Sequence, residues 1–250
     1  NKNHEINWSR PIPENKYESC SKIQKMMRAT IILRSDHLIK RLWVVFAFIL
    51  FTVHGAFAQC PTGGLNFTSQ ATIDQFITDY PSCTEITGNV TISGEDITNL
   101  DGLRNITSIT GSLDVLRNAA LVNLDGLPAL SNIGGSLTIG LNPALTNIGG
   151  FEALTTIGGD FGISGNQALT HIDGFVALTV VGSFVSINEN QVLTNIDGFA
   201  TLTKVDGLYI ASNPVLSNIN GLAALTSLVG LIWIDDNTGL TDISALQNID

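Results

Sequence analysis

The chain has 250 residues, of which 44% are hydrophobic, and its formal net charge at pH 7 is −10. This length is enough for one or two globular domains. Residues 59–250 hold three Lys or Arg against 18 Asp or Glu, a net −15. Such a surface repels nucleic acid and anionic membranes, so we expect neither as a partner.

The basic residues are concentrated at the N-terminus, where residues 1–58 hold nine Lys or Arg against four Asp or Glu. Residues 1–26 are polar and lack periodicity, and we interpret them as an upstream or disordered extension. Residues 27–58 have the features of a secretory signal peptide: the basic segment Leu38–Arg41, the apolar segment Leu42–Val53, and small residues at Ala56 and Ala58. We expect cleavage after Ala58, which makes the mature chain secreted or cell-surface.

Two other interpretations of this segment are open. The apolar segment has 12 residues and is followed by His54 and Gly55, which is short for a membrane span, but an uncleaved signal anchor is the second interpretation. A lipid anchor on Cys60 is disfavoured because the bulky Gln59 precedes it. We therefore expect no stable membrane insertion after cleavage.

The mature chain has two cysteines, Cys60 and Cys83, and both precede the repeats. An exported protein meets an oxidising environment, so the pair favours one disulfide. This disulfide would hold residues 59–82, which we interpret as an N-terminal capping segment. A metal site needs more ligands than the pair offers.

Six repeats follow one another over residues 97–239, five of 24 residues and one of 23, and a seventh begins at Leu240. The apolar positions in the repeat at 121–144 are spaced by three, three, three, three, four and two residues. The final spacing is strand alternation, and the many Gly, Asn, Asp and β-branched residues disfavour a helix. We therefore predict an all-β solenoid over residues 83–250, in which apolar columns stack inside and each coil is buried against its neighbours. We expect the solenoid to be truncated at residue 250.

Two polar columns mark the turns of each repeat. Pairs such as Asp125-Gly126 and Gly149-Gly150 predict corners with positive φ at glycine. An asparagine stands three residues after the last inward strand position, and we expect these amides to form a ladder that bonds turn backbone. A binding role for the column is the alternative. The asparagines are Asn118, Asn142, Asn166, Asn190, Asn213 and Asn237.

The segment Ser82–Gly94, "SCTEITGNVTISG", resembles the opening of a receptor L domain, as in the insulin and epidermal growth factor receptor ectodomains. Its pattern returns at Asn105–Val115 and Leu154–Ile163. The resemblance covers roughly residues 83–250 and is closest to the secreted leucine-rich, L-domain-like repeat proteins of Bacteroidota. It implies a right-handed β-helix with about 24 residues per coil and an extracellular binding or adhesion role. Receptor signalling is not implied, because those receptors carry two L domains around a Cys-rich module, whereas residues 59–250 contain two cysteines.

Catalysis has little support in the mature sequence. Its one histidine, His171, occupies an outward column otherwise filled by Asn or Asp, and the nearly constant coil length leaves no long loop to form a cleft. We therefore expect no enzyme, no cofactor and no metal site. A carbohydrate-active β-helix enzyme is the alternative, and calcium between stacked carboxylates such as Asp101 and Asp125 is left open.

The outward strand positions form one flat face that changes from small polar residues to aromatic ones toward the C-terminus. One column reads Asp114, Thr138, Gly162, Ser186, Tyr209 and Trp233, and the column before it reads Ser112, Ser136, Asp160, Phe184, Gly207 and Leu231. We predict that the aromatic end contacts a ligand and that polar neighbours supply hydrogen bonds. The predicted contact residues are Phe184, Ser186, Asn188, Tyr209, Trp233 and Asp235.

The sequence therefore predicts an exported module that binds or adheres to an extracellular protein or glycan. The alternative for the aromatic residues is that they cover the end of the solenoid or pack across strands. The alternative for the whole chain is a structural spacer rod that carries other modules.

Overall fold

The computed structural model describes residues 59–249. The predicted upstream extension, residues 1–26, and the predicted signal peptide, residues 27–58, lie outside the described residues. Within residues 59–249, no helix combines the length and the hydropathy that crossing a membrane requires.

The described residues form two parallel sheets, and each coil contributes one strand to each sheet. The larger sheet contains, in spatial order, β1 (Leu65–Phe67), β3 (Val90–Ile92), β5 (Leu113–Leu116), β7 (Leu137–Gly140), β9 (Phe161–Ser164), β11 (Phe184–Asn188), β13 (Gly207–Ala211) and β15 (Ile232–Asp235). The smaller sheet contains β2 (Glu85–Ile86), β4 (Ser108–Ile109), β6 (Asn132–Ile133), β8 (Thr156–Ile157), β10 (Val180–Val181), β12 (Lys204–Val205) and β14 (Ser227–Leu228). Short 3-10 helices form further corners at Asp101–Leu103, Asp197–Phe199, Asn220–Leu222 and Ser244–Leu246.

The strand register follows the sequence repeats. Leu113 pairs with Leu137, and Leu137 pairs with Phe161. Strand-rich parallel stacking confirms the all-β solenoid-like fold, in which every strand of one coil bonds the equivalent strand of the next. The handedness of the coil stays a prediction.

The apolar columns lie inside the solenoid, as predicted. Leu137 and Ile139 are fully buried, and so are their counterparts in the neighbouring coils. Three phenylalanines of one column, Phe151, Phe175 and Phe199, stack with ring centroids 5.2 and 5.5 Å apart. Full burial of each such side chain stabilises the fold by about 1.5–3 kcal/mol, and no coil obtains this burial alone.

The asparagine ladder is confirmed. Five of its six members, from Asn118 to Asn213, are completely buried. In these five, the amide Nδ2 donates to the side-chain Oδ1 of the next asparagine and to a strand carbonyl of the coil before. Because donors and acceptors are all paired, a polar column runs through the interior without unsatisfied groups.

Positive φ at the Asp-Gly corners was expected, and this prediction is wrong for all of these corners except Gly150, where φ is +83°. A Cβ on Gly126 would overlap the backbone carbonyl group of Leu100 in the preceding coil, and Gly174 is enclosed in the same way by Ile148. Glycine is therefore needed because the coils approach closely at this corner.

The left-handed turn lies one residue before each ladder asparagine. Arg117, Leu141, Glu189, Ser212 and Asp236 have φ between 51° and 60°, and the equivalent Gly165 has φ +66°. This turn takes the chain out of the strand and points the following asparagine inward, so the ladder imposes the conformation on residues of many types.

The N-terminal segment is joined to the solenoid by the pairing of β1 with β3, by one disulfide and by one helix. The Cys60–Cys83 disulfide is confirmed, with a Cα–Cα distance of 5.0 Å. Helix α1 (Gln70–Asp79) buries Ile73 and Phe76 against the first coil. The Oε1 atom of Gln70 accepts hydrogen bonds from the backbone N–H groups of Thr98 and Asn99, which fixes the start of the helix to the next coil.

Candidate functional site

The six predicted contact residues lie together on three adjacent strands, β11, β13 and β15. Ser186 pairs with Tyr209, and Tyr209 pairs with Trp233. Phe184 precedes Ser186 by two residues, and Asn188 and Asp235 lie two residues after Ser186 and Trp233, so all point to the same side of the sheet. We call this surface the aromatic face: Phe184, Ser186, Asn188, Tyr209, Leu231, Trp233 and Asp235.

The rings of the aromatic face are open to solvent, in agreement with the register prediction. Phe184 is 46% exposed, Tyr209 is 39% exposed and Trp233 is 49% exposed. Leu231, which the sequence analysis placed in the same column as Phe184, is 59% exposed. The inward neighbours on β11 and β13, such as Ile187 and Ile210, are fully buried, whereas on β15 Ile232 is exposed and Ile234 is partly buried. The role of the exposed aromatic-face residues in binding stays a prediction.

Gly207 sets the position of the Phe184 ring. The two residues are register partners, and a Cβ on Gly207 would overlap the Phe184 ring. The ring therefore lies over the start of β13 and fills the space that other residues of this column occupy with a side chain. The sequence analysis placed Gly207 in the column but did not assign it this role.

Polar groups flank the rings. The Ser186 hydroxyl donates to Oδ1 of Asn188 over 3.1 Å, so these two side chains hold each other. Asp235 is exposed, and its carboxylate has no hydrogen-bond partner among residues 59–249. The face thus offers an amide, a hydroxyl and a free carboxylate beside three aromatic rings.

On the N-terminal part of the same sheet face, outward side chains accept hydrogen bonds from the backbone. Ser112 Oγ accepts a hydrogen bond from the Ser136 backbone N–H, and Ser136 Oγ accepts one from Asp160, each over 3.0 Å. Asp160 Oδ1 then accepts one from the Phe184 N–H over 3.2 Å. This side-chain-to-backbone ladder ends at Phe184, which has no acceptor to continue it. From that coil onward the column no longer serves the backbone, so its side chains are available for contact.

The outward column that contains His171 consists otherwise of Asn and Asp side chains, and these cap the backbone. Asn123 Oδ1 accepts a hydrogen bond from the Asp125 N–H, and Asn195 bonds Asp197 in the same way. Asp242 does so with Ser244, and this bond lowers the pKa of the Asp242 carboxyl. His171 is the exception, since its Nε2 lies 3.5 Å from Asp173 Oδ2. The Nδ1 atom of His171 lies 2.8 Å from the Thr170 hydroxyl, whereas the Asn and Asp side chains named here cap the backbone.

Potential metal ligands and surface depressions are the remaining features of the part of the chain that the structure describes. It contains no cluster of three His, Cys, Asp or Glu side chains that could hold a metal ion. The best-formed depressions are open to solvent, with volumes of about 430 Å³ beside α1 and about 390 Å³ beside Asp235. Calcium binding between stacked corner carboxylates such as Asp101 and Asp125 stays an untested alternative.

The family model for the receptor L domain matches residues 82–146. This segment is similar to a receptor L domain. A search of curated proteins finds no match. Together with the Cys60–Cys83 disulfide, the receptor L-domain match indicates an extracellular ligand-binding module. The aromatic face lies C-terminal to the matched segment, on the same continuous sheet.

Proposed function

We propose that this chain is an exported recognition module that binds an extracellular protein or glycan through the aromatic face. The observation that supports the proposal is the change in the outward columns at Phe184. Before it, the side chains of Ser136 and Asp160 accept hydrogen bonds from backbone N–H groups; from Phe184 onward, large rings are exposed. Aromatic side chains in such a position provide contact area at low entropic cost and are frequent in binding hot spots.

The setting that we propose is a bacterial surface or its surroundings, reached through a signal peptide cleaved after Ala58. The resemblance of the repeats to the secreted L-domain-like proteins of Bacteroidota supports this setting. The solenoid is proposed to be right-handed with about 24 residues per coil. We propose a binding role without catalysis because the polar columns are occupied by backbone hydrogen bonds.

Array binding tests the proposal. The chain is applied to arrays of neutral and acidic glycans and of extracellular proteins, and the Tyr209→Ala and Trp233→Ala variants are compared with it. We expect each substitution to weaken binding by about tenfold or more, because removal of a hot-spot residue costs about 2 kcal/mol.

Thr138→Ala is the matched control, because Thr138 belongs to the same column three coils earlier and is half-buried at the polar end. We expect it to bind as the parent does. Equal binding by all four proteins would place the site elsewhere. A parent that is folded yet binds nothing on either array would support the alternative of a spacer rod.

A further inference from the structure

We propose that the aromatic face binds a protein partner that presents arginine or lysine side chains around an apolar group. This inference rests on the proposed function, since it names the partner class of the same surface. Two features carry it: exposed aromatic rings at the centre, and carboxylates without basic residues around them.

Several carboxylates neighbour members of the aromatic face along the chain or in the strand register. Asp160 is exposed one coil before Phe184 in the same column. Asp206 immediately precedes Gly207, and Asp235 follows Trp233 by two residues on the same side of β15. Glu189 and Asp236, both exposed, continue from the ends of β11 and β15.

The basic side chains of the described residues lie outside the aromatic face. Residues 59–249 contain three of them, Arg104, Arg117 and Lys204. Lys204 belongs to β12 of the smaller sheet, Arg104 follows the corner helix at 101–103, and Arg117 follows β5 of the larger sheet. None of the three is a member of the aromatic face, so its potential is negative and not compensated locally.

This combination matches a cationic partner. The faces of tryptophan and tyrosine rings attract ammonium and guanidinium groups. Trp233 and Asp235 stand about 7 Å apart along the strand, so a guanidinium over the indole lies within reach of the carboxylate and can form charge-assisted hydrogen bonds. Leu231 and Phe184 provide apolar contact beside this position.

Charge complementarity disfavours other occupants. A second copy would bring the same net −15 over residues 59–250 and the same acidic face, so the two faces would repel each other. Nucleic acid and acidic glycans are repelled for the same reason. A neutral glycan would leave the surrounding carboxylates without partners, and it is therefore an outcome of the test.

The experiment uses three synthetic peptides of equal length. In the first, arginine alternates with leucine and tryptophan; in the second, glutamate replaces arginine; in the third, serine replaces leucine and tryptophan. Association with the chain is followed by biolayer interferometry at ionic strengths of about 0.05 and 0.5 M, where screening lengths differ about threefold. We expect binding by the first peptide, weaker binding by the third and none by the second, with loss of affinity at high salt.

Paired charge-neutral variants separate a local site from bulk attraction. Asp160→Asn with Asp235→Asn removes two charges at the aromatic face, and asparagine keeps the Oδ1 acceptor for the Phe184 N–H. Asp101→Asn with Asp125→Asn removes two charges at the corner column. We expect the first pair to slow association about tenfold at low salt and the second pair to slow it less than about twofold.

Three results would overturn the inference: equal effects of the two pairs, binding of the arginine peptide that is unchanged by Trp233→Ala, or self-association of the chain through this face. Trp233-dependent binding to a neutral glycan would also overturn it while leaving the proposed function in place. A folded parent that binds neither the peptides nor the arrays would contradict both this inference and the proposed function. Circular dichroism of each variant confirms that the fold is retained.

Discussion

Asn142 and Asn166 are joined by two hydrogen bonds across one coil. The backbone N–H and the side-chain Nδ2 of Asn142 both donate to Oδ1 of Asn166, over 3.1 and 3.2 Å. Nδ2 also donates to the carbonyl of Val115 over 3.0 Å. One side-chain amide therefore bonds the coils on either side of its own.

Replacing Asn142 with alanine should destabilise the fold by about 3 kcal/mol, because two donors of Asn118 and the Val115 carbonyl lose their buried partner. Urea unfolding measures the change. Asn132→Ala is the control, since Asn132 is exposed in β6, and its effect should stay within about 0.5 kcal/mol. Equal midpoints for the two variants would show that the ladder contributes nothing.

Gly126 and Gly162 should respond in opposite ways to alanine. A Cβ at position 126 overlaps the Leu100 carbonyl group, whereas at position 162 its nearest neighbour is the Thr138 Cγ2 atom, 3.9 Å away. We expect Gly126→Ala to cost about 3 kcal/mol or to prevent folding, and Gly162→Ala to be neutral or stabilising by up to about 1 kcal/mol. Thermal unfolding of both variants tests this, and a stable Gly126→Ala protein would contradict the close approach of the coils.

Leu141 adopts φ +58° although it is not glycine. Leu141→Gly should stabilise the protein by about 0.5 kcal/mol, because relief of the left-handed strain exceeds the added entropy of the unfolded chain. Leu141→Ala keeps the Cβ and should give no gain. Calorimetry distinguishes the two, and a gain with alanine equal to that with glycine would point to the loss of the half-exposed leucine side chain instead.

The Cys60–Cys83 disulfide closes a segment of 23 residues, and its removal should cost about 3 kcal/mol by chain entropy. The loss should be local, because the disulfide holds the segment that contains α1. Hydrogen exchange in α1 should rise in the Cys60→Ala, Cys83→Ala variant while exchange around Phe175 stays slow. Reductant should reproduce the effect in the parent and have no effect in the variant. Faster exchange throughout the solenoid would show that the effect is global.

The repeat made the core and the ladder predictable. A residue such as Ile139 returns at the same place in every coil, so its column, its inward direction and its strand register follow from the period alone. The outward register of Tyr209 and Trp233 follows for the same reason.

The backbone details were not predictable, because they depend on contacts between coils. Positive φ was predicted at Gly126, where the glycine in fact accommodates the Leu100 carbonyl. The true left-handed position carries residues such as Leu141 and Glu189, which have no preference for it. Helix α1 lies outside the repeats, so no column pointed to it.

The side-chain-to-backbone ladder that ends at Phe184 divides the sheet face into two parts. Residues in the part from Phe184 onward can be substituted more freely than those before it. A substitution at Ser136 removes the side-chain acceptor of the Asp160 N–H, whereas positions 184, 186, 209, 231 and 233 can change without that penalty. Diversification confined to these five positions should yield variants that keep the scaffold and differ in what they bind. The same division would allow one descendant of this chain to acquire a new partner while its stability stays unchanged.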